Sequence, residues 1–328
     1  MDKSRISEVV VIVPAYNAEK TIMRTVESLK RQTIPIEIVV VDDGSAVPLS
    51  IEGVRVIHQA NAGAYTARLN GVAQTSAPFI GFVDADDEIE PDMYEKMLNL
   101  AKTYELDVVQ CGVFGTLLPG NAEILSCEAD VRSRIVTPML IKGDCSAFVW
   151  DKLYRRSVCF GDLSTRPFEK SGIFMFDDLA INLQAFTRVK RVGMLMQGLY
   201  HYNVGDGSSV RNFKRKNIED LKEAIRFRAK FLPYYGVEAN DPVYEKWIKK
   251  NLRNYLISVA SAGHDCMVNR IANAKDLYMV VKGRMPLTLA VQVVVINFLK
   301  NVQRRLQRYL SVAQNIFKVY EKFVKKFV

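Results

Sequence analysis

The sequence predicts an α/β protein built on a largely parallel sheet with helices on both faces. Three observations predict it. Short apolar runs of strand length alternate with amphipathic helical segments through the first hundred residues. Three of the four runs end in polar clusters, PAYN, DDGS and DADD, at the strand ends where ligands bind in such sheets. The chain of 328 residues, 49% hydrophobic and 25% charged, can bury a large core and by length alone makes about two domains.

The first run, Val9 to Val13 (VVVIV), reads as a strand and stops at Pro14. AEKTIMRTVESLKRQ reads as a helix because Ile22, Val26 and Leu29 recur at steps of four and three. Ile36 to Val41 (IEIVVV) is a second strand, closed by DDGS, and Val54 to Ile57 (VRVI) a third. Ala64 to Ala73 reads as a helix, Phe79 to Val83 (FIGFV) as a fourth strand, and Pro91 to Tyr104 as a helix. The middle is less regular. It holds strand-like DVVQCGVFG, a Gly/Pro turn LPGNAE, the segment VWDKLYRRSV, and a loop entering a helix near Asp177 or Asp178. Strand-like MLMQGLYHYNV and a GDGSS loop follow. Beyond about residue 213 strand signals fade, and helices are expected at roughly 214–232, 241–262, 270–281 and 289–328. The expected organisation is a domain over 1–212, a helical region over 213–284 and a basic amphipathic helix over 285–328.

The N-terminus, MDKSRISE, is polar and lacks the pattern of a secretory leader. Cys111, Cys127, Cys145, Cys159 and Cys266 show no CxxC spacing, which favours reduced thiols and a cytoplasmic setting. The net charge of +9 falls entirely in residues 282–328, where ten Lys/Arg accompany one acid, Glu321, while the preceding chain is neutral.

DADD places Asp84, Asp86 and Asp87 within four positions. An Asp-rich turn that caps the next helix is one explanation, although Glu90 or Asp92 could supply that cap. A hard cation is the other. Asp-x-Asp at a strand end offers oxygens from alternate residues, and Mg2+ or Mn2+ takes roughly one or two carboxylates, filling its shell with waters and substrate phosphates. DDGS and PAYN, each alone, could be simple turns. Tyr16 nonetheless offers a ring to a base, and Pro14 stiffens its loop.

Taken in order, VVVIVPAYNAEKTI, EIVVVDDGS, HQANAGAYTARLNG and FIGFVDADD resemble the family 2 glycosyltransferases, with their nucleotide-sugar-binding GT-A fold. The resemblance covers residues 9–87 and continues more loosely to about residue 210. It implies that Pro14, Ala15, Tyr16, Asp42 and Asp43 hold the nucleoside. An Asp there accepts from the imide N–H of uracil, so a uridine diphosphate donor is expected. Arg68 matches a basic residue facing base or diphosphate, with a helix-surface Arg as the plain alternative. Asp84 matches the ribose-side member of the metal motif, Asp86 the ligand of Mg2+ or Mn2+, and Asp87 a supporting or capping residue.

Relatives that build bacterial surface polysaccharides carry Trp-Asn-Lys-Leu-Tyr where this chain has Trp150-Asp151-Lys152-Leu153-Tyr154, which puts the role of position 151 in doubt. They carry Glu-Asp at a helix start where this chain has Asp177-Asp178. Asp178 matches the general base, with Asp177 as second choice. A helix cap is the plain alternative, and the helix dipole would also hold a base ionised there. His201 in GLYHYN is a candidate for the metal shell or the diphosphate, or else structural. Arg211 is a candidate for the diphosphate, and the GDGSS loop before it could close over a donor. The implied activity is inverting transfer of a sugar to a hydroxyl of a glycan acceptor, with a lipid-linked acceptor expected.

From Val295 the apolar residues Leu299, Val302, Leu306, Tyr309, Ala313, Ile316, Tyr320, Phe323 and Phe327 keep alternating steps of four and three. Arg304, Arg308, Lys318, Lys322 and Lys325 form a second stripe about 200° around the helix. A coiled coil, and with it a homo-oligomer, fits the period, but flanks almost without acids would repel. Packing on the protein's own body is the second reading. A membrane-surface helix is the favoured third, placing the chain on the inner face of the plasma membrane. A span is not expected, since Met285 to Leu299 offers only 15 residues between charges where roughly 20 are needed.

The chief rival is a non-catalytic nucleotide-sugar-binding subunit of a glycan-synthesis assembly, against which the intact acidic pairs argue. A nucleotidyltransferase would show a Gly-rich basic loop that PAYNAEK lacks. A dehydrogenase would show GxGxxG after the first strand. Nucleic acid is not an expected partner, because only the tail is basic.

Overall fold

The computed structural model describes residues 7–114, 122–142, 147–161 and 177–203, with Leu163, Phe168, Pro242 and most of 223–236. The chain divides into two compact units, Met1–Trp247 and Ile248–Val328, and all the described residues belong to the first. Arg211, the GDGSS loop and the helices expected beyond residue 242 lie outside the described residues, as does the basic tail.

Four strands, β1 (Val9–Ala15), β2 (Ile36–Asp42), β3 (Arg55–His58) and β4 (Phe79–Phe82), pair parallel in the order β3-β2-β1-β4. Val9 through Val13 are fully buried, as a strand covered on both faces must be. Three helices cover this half: α1 (Ile22–Lys30), α2 (Ala64–Ala73) and α3 (Met93–Thr103). Ile22, Val26 and Leu29 form the buried stripe of α1 that the periodicity predicts. Gly81 in β4 leaves room for the buried Tyr94 of α3, whose ring would overlap any Cβ there.

The remaining strands are β5 (Glu88–Ile89), β6 (Val108–Val113), β7 (Ala122–Leu125), β8 (Lys152–Arg155) and β9 (Val192–His201). They complete a mixed, nine-stranded sheet in which β4-β8-β6-β9-β5 continues the order and β7 pairs with β9. Strand β8 runs antiparallel to both β4 and β6, so the loop before it lies at the carboxyl end of β4. The turn expected at LPGNAE is in part a strand, since Ala122–Leu125 pairs with Val192–Leu195. A helical stretch absent from the sequence expectations follows: α4 (Glu128–Val131), a π-helical turn (Arg132–Val136) and α5 (Thr137–Lys142). Two further helices are α6 (Arg156–Cys159) and α7 (Asp177–Ala185). Among the described residues no helix is long and apolar enough to cross a membrane.

Candidate active site

The chain leaves β1 toward β2 and β3 on one side and returns to β4 on the other, so the strand order reverses at β1. A crevice opens at such a switch point, beyond the carboxyl ends of the strands. Pro14 and Ala15 end β1 there, opposite Val41 and Asp42 of β2, and Asp84 follows β4 by two residues. PAYN, DDGS and DADD thus meet at one edge.

The first two clusters are laced to each other. The Asn17 amide donates to Ser45 Oγ at 2.9 Å, and Asn17 Oδ1 accepts from the Ala46 amide at 2.9 Å. Gly44 makes the turn with φ +77°, and a Cβ there would come within 2.8 Å of the Asn61 amide nitrogen. Both acids of DDGS are buried and bonded locally. Asp42 accepts from the Ser45 and Leu49 amides at 3.1 and 3.0 Å and lies 3.1 Å from His58 Nδ1. Asp43 accepts from Gln59 Nε2 and from the Ala62 and Gly63 amides, each at 2.8 Å. Both carboxylates therefore fix the loops around the crevice, as the turn reading of DDGS expects. Tyr16, by contrast, is 56% exposed.

Arg68 is the centre of the charge arrangement. It projects from α2, is buried, and pairs through Nη2 with Asp84 Oδ1 at 2.6 Å. Its Nη1 pairs with Asp177 and, at 3.1 Å, with Asp178 Oδ1. One guanidinium thus joins the end of β4 to the first turn of α7. The helix-surface alternative for Arg68 does not hold, and its contacts here are carboxylates. Burial works against the charge of Arg68, but Asp178, Asp177 and Asp84 outweigh it and raise its pKa. For both Asp177 and Asp178 burial raises the pKa; Arg68 opposes the shift, and their acidic neighbours add to it. Among the described residues Asp178 Oδ1 is buried and makes no hydrogen bond, its one charged contact being the ion pair with Arg68 Nη1.

The DADD loop is held from behind. Asp87, buried, accepts from Tyr200 Oη and from the Asn203 amide at 2.7 Å each, and burial pushes its pKa up to about 7. The Asp84 amide donates to the same Tyr200 hydroxyl at 3.2 Å. Arg24 Nη2 and Asn203 Nδ2 donate to the Asp86 carbonyl at 2.7 and 3.1 Å. The Asp86 residue is exposed at the mouth of the loop, while partial desolvation of its carboxylate and then Asp84 raise its pKa. His201, by contrast, sits 2.6 Å through Nε2 from Glu90 Oε1 and stacks on Phe114 at 4.2 Å, which leaves only Nδ1 for another partner.

Position 151 has a physical explanation. Lys152 is fully buried and donates through Nζ to Asp151 Oδ1 at 2.7 Å and to the Phe148 carbonyl at 2.5 Å. Asp151 also accepts from Gln110 Nε2 at 3.0 Å. An Asn at position 151 would leave the ammonium without a counter-charge. Asn182 of α7 donates to the Ala147 and Phe148 carbonyls at 2.8 and 2.9 Å and accepts from Tyr154 Oη at 2.7 Å.

Tyr200 and Asn203 are invisible locally because their partners lie 113 to 117 residues away. Asn182 had a signal: an amide one turn after Asp178 on a mostly apolar helix needs buried partners. Among the described residues no cluster of three or more His, Cys, Asp and Glu forms a ready metal cage. The carboxylate of the exposed Asp86, beside Asp84 and with its charge incompletely offset, fits a hard divalent cation that draws its other ligands from water and substrate.

The fold is that of a GT-A transferase. The chain belongs to the family 2 glycosyltransferases: the model of Glycosyl transferase family 2 matches residues 10–127. It is 30% identical over 253 residues to the uncharacterized glycosyltransferase EpsJ of Bacillus subtilis (strain 168), spanning 69% of this chain and 70% of that protein. It is 34% identical over 272 residues to the succinoglycan biosynthesis protein ExoO of Rhizobium meliloti (strain 1021), spanning 76% and 74%. The crystal structure of S. aureus TarS 1–349 shares the fold, with a TM-score of 0.57, 20% identity and coverage of 84% of this chain and 81% of that one. The same protein in complex with UDP-GlcNAc aligns with a TM-score of 0.53 at 19% identity, covering 84% and 90%.

Proposed function

We propose that this glycosyltransferase moves a sugar from a uridine diphosphate donor to a hydroxyl of a glycan acceptor, in the assembly of a bacterial surface polysaccharide. The observation that carries the reading is the convergence of PAYN, DDGS and DADD on one crevice, joined through Arg68 to Asp177 and Asp178. The biosynthetic name of ExoO supports a polysaccharide product, and the UDP-GlcNAc bound by TarS supports a uridine donor.

In this reading Tyr16 stacks on the base, and the loops set by Asp42 and Asp43 surround the nucleoside. Asp84 faces the ribose. Asp86 would hold Mg2+ or Mn2+, which when bound supplies positive charge to the departing diphosphate. Asp178 is the base. Burial makes its carboxylate more basic, and Arg68, paired with Oδ1 at 3.1 Å, opposes complete protonation, so the carboxylate can take up the acceptor proton. The acceptor oxygen attacks the anomeric carbon, the bond from that carbon to phosphate oxygen breaks, and the diphosphate leaves with the electron pair. One in-line step of this kind inverts the anomeric centre. Arg68 touches both Asp84 and Asp178, so it spans the donor and acceptor sides. The tail over 285–328 serves as a membrane-surface anchor that brings the enzyme to a lipid-linked acceptor at the inner face of the membrane.

The test is a panel of nucleotide-sugars with Mg2+ or Mn2+, read as released nucleoside diphosphate. Release from uridine diphosphate sugars in preference to guanosine and cytidine donors supports the reading. Nucleotide-sugar binding with no turnover under any condition would instead favour a non-catalytic assembly subunit.

A further inference from the structure

The acceptor side of the site has its own architecture in the loop before β8. Asn182, one turn after Asp178 on α7, donates to the Ala147 and Phe148 carbonyls, so the residues flanking Val149 sit against the helix that carries the candidate base. Those residues are Phe148 and Trp150, and both are aromatic. Phe148 stacks on Trp150 at 4.7 Å and 19°, and Trp150 stacks in turn on Tyr200 at 4.2 Å and 22°. Tyr202 lies 5.9 Å from Trp150 with its plane only 19° away. Trp150 and Tyr200 are buried, whereas Phe148 is 39% and Tyr202 43% exposed. The stack thus leaves two of its rings partly open to solvent.

Its position is rigid. Lys152 and Asn182 both grip the Phe148 carbonyl, from β8 and from the base-bearing helix α7. The Tyr200 ring carries the hydroxyl that bonds Asp87 and receives the Asp84 amide. Fully buried as they are, Lys152 and Asp151 neutralise each other, so the stack rests on an ion pair without net charge. Strand order separates it from the nucleoside loops: those lie on β1 and β2, on one side of β4, and the stack lies on β8, on the other.

We infer that Phe148 and Tyr202, supported by Trp150, form a stacking subsite for a pyranose ring of the acceptor. A pyranose has an apolar C–H face that covers an aromatic ring and a rim of hydroxyls that needs polar neighbours, which here are the carboxylates around Arg68. A ring seated on the stack presents a hydroxyl toward the helix that carries the candidate base, which is where orientation gains most in a displacement reaction. Lys152 and Asn182 are positioning residues for this subsite. The inference rests on the proposed transferase reading.

The test uses the full chain in a Trp247→Phe background, leaving Trp150 as the only tryptophan. With UDP and Mg2+ present, its emission is followed during titration with methyl glucoside, methyl galactoside, methyl N-acetylglucosaminide and chitotriose. At least one sugar is expected to give a saturable change. Phe148→Ala and Tyr202→Ala are each expected to weaken it by roughly tenfold. Tyr104→Ala, which removes an exposed ring at the end of α3, should leave it unchanged. Calorimetry with UDP on the same samples separates the two ideas. A chain that binds no uridine nucleotide overturns the donor reading. A chain that binds UDP but gives no saturable response to any sugar, or a response that Phe148→Ala and Tyr202→Ala leave intact, overturns the subsite.

Discussion

Arg68 Nη2 lies 2.6 Å from Asp84 Oδ1, and its Nη1 reaches Asp177 and Asp178, so one buried guanidinium serves three carboxylates from two distant parts of the chain. Removing it leaves buried negative charge without a partner. Arg68→Met should cost about 3–5 kcal/mol, read as a lower denaturant midpoint at unchanged slope. The loss should be larger at pH 8 than at pH 5, because carboxylates deprived of Arg68 take up protons more readily. Arg68→Lys should recover only part of it, since a single ammonium cannot offer the same fork. An unchanged midpoint in Arg68→Met would show that the cluster contributes nothing.

Asp42 titrates in the opposite sense to Asp86, Asp87, Asp177 and Asp178. Burial alone would raise its pKa, but the bonds from Ser45, Leu49 and His58 outweigh it and carry the value below the usual 3.8. A lowered carboxylate stabilises the fold above its unfolded value and loses that contribution as pH falls through the native one. Asp42→Asn should therefore cost about 1–2 kcal/mol at neutral pH. The gap from wild type should narrow as pH drops below 3.8. Urea melts between neutral and acid pH check this, and a gap independent of pH would refute it.

Asp178→Asn should lower transfer by about 10²- to 10⁴-fold while leaving uridine diphosphate affinity intact. Asp86→Asn should instead weaken that affinity, and only when Mg2+ or Mn2+ is present. Calorimetry with and without chelator, beside a product assay, distinguishes the two. Wild-type transfer by Asp178→Asn would move the base assignment to Asp177.

The chain is expected to float with anionic liposomes at low salt, less at high salt, and not at all without residues 285–328. Equal flotation of the full and shortened chains would remove the membrane role and leave the tail to a partner helix or to the protein's own body.

What could be read directly from the residues was whatever local pattern specifies. Strands β1, β2 and β4 are largely apolar runs, and α2 spans Ala64–Ala73 as its pattern predicts. β8 escaped because KLYR has a polar look, and its lysine is buried only because Asp151 and the Phe148 carbonyl are waiting for it. The acids of DADD were legible as a site, but the pairing of Asp84 with Arg68 was not. The pairing of Arg68 with Asp177 bridges 109 residues, which no window of sequence contains. Asp42 and Asp43 were legible as crevice residues, yet their bonds to backbone amides are a matter of loop path, which composition leaves undetermined.

Those amide bonds have a thermodynamic consequence. Because Asp42 and Asp43 are already occupied by Ser45, Leu49, Gln59, Ala62 and Gly63, this wall of the crevice takes its shape before any ligand arrives. Little configurational entropy remains to be lost there on association, so selectivity along this wall comes from the fit of a preorganised surface, as in a lock.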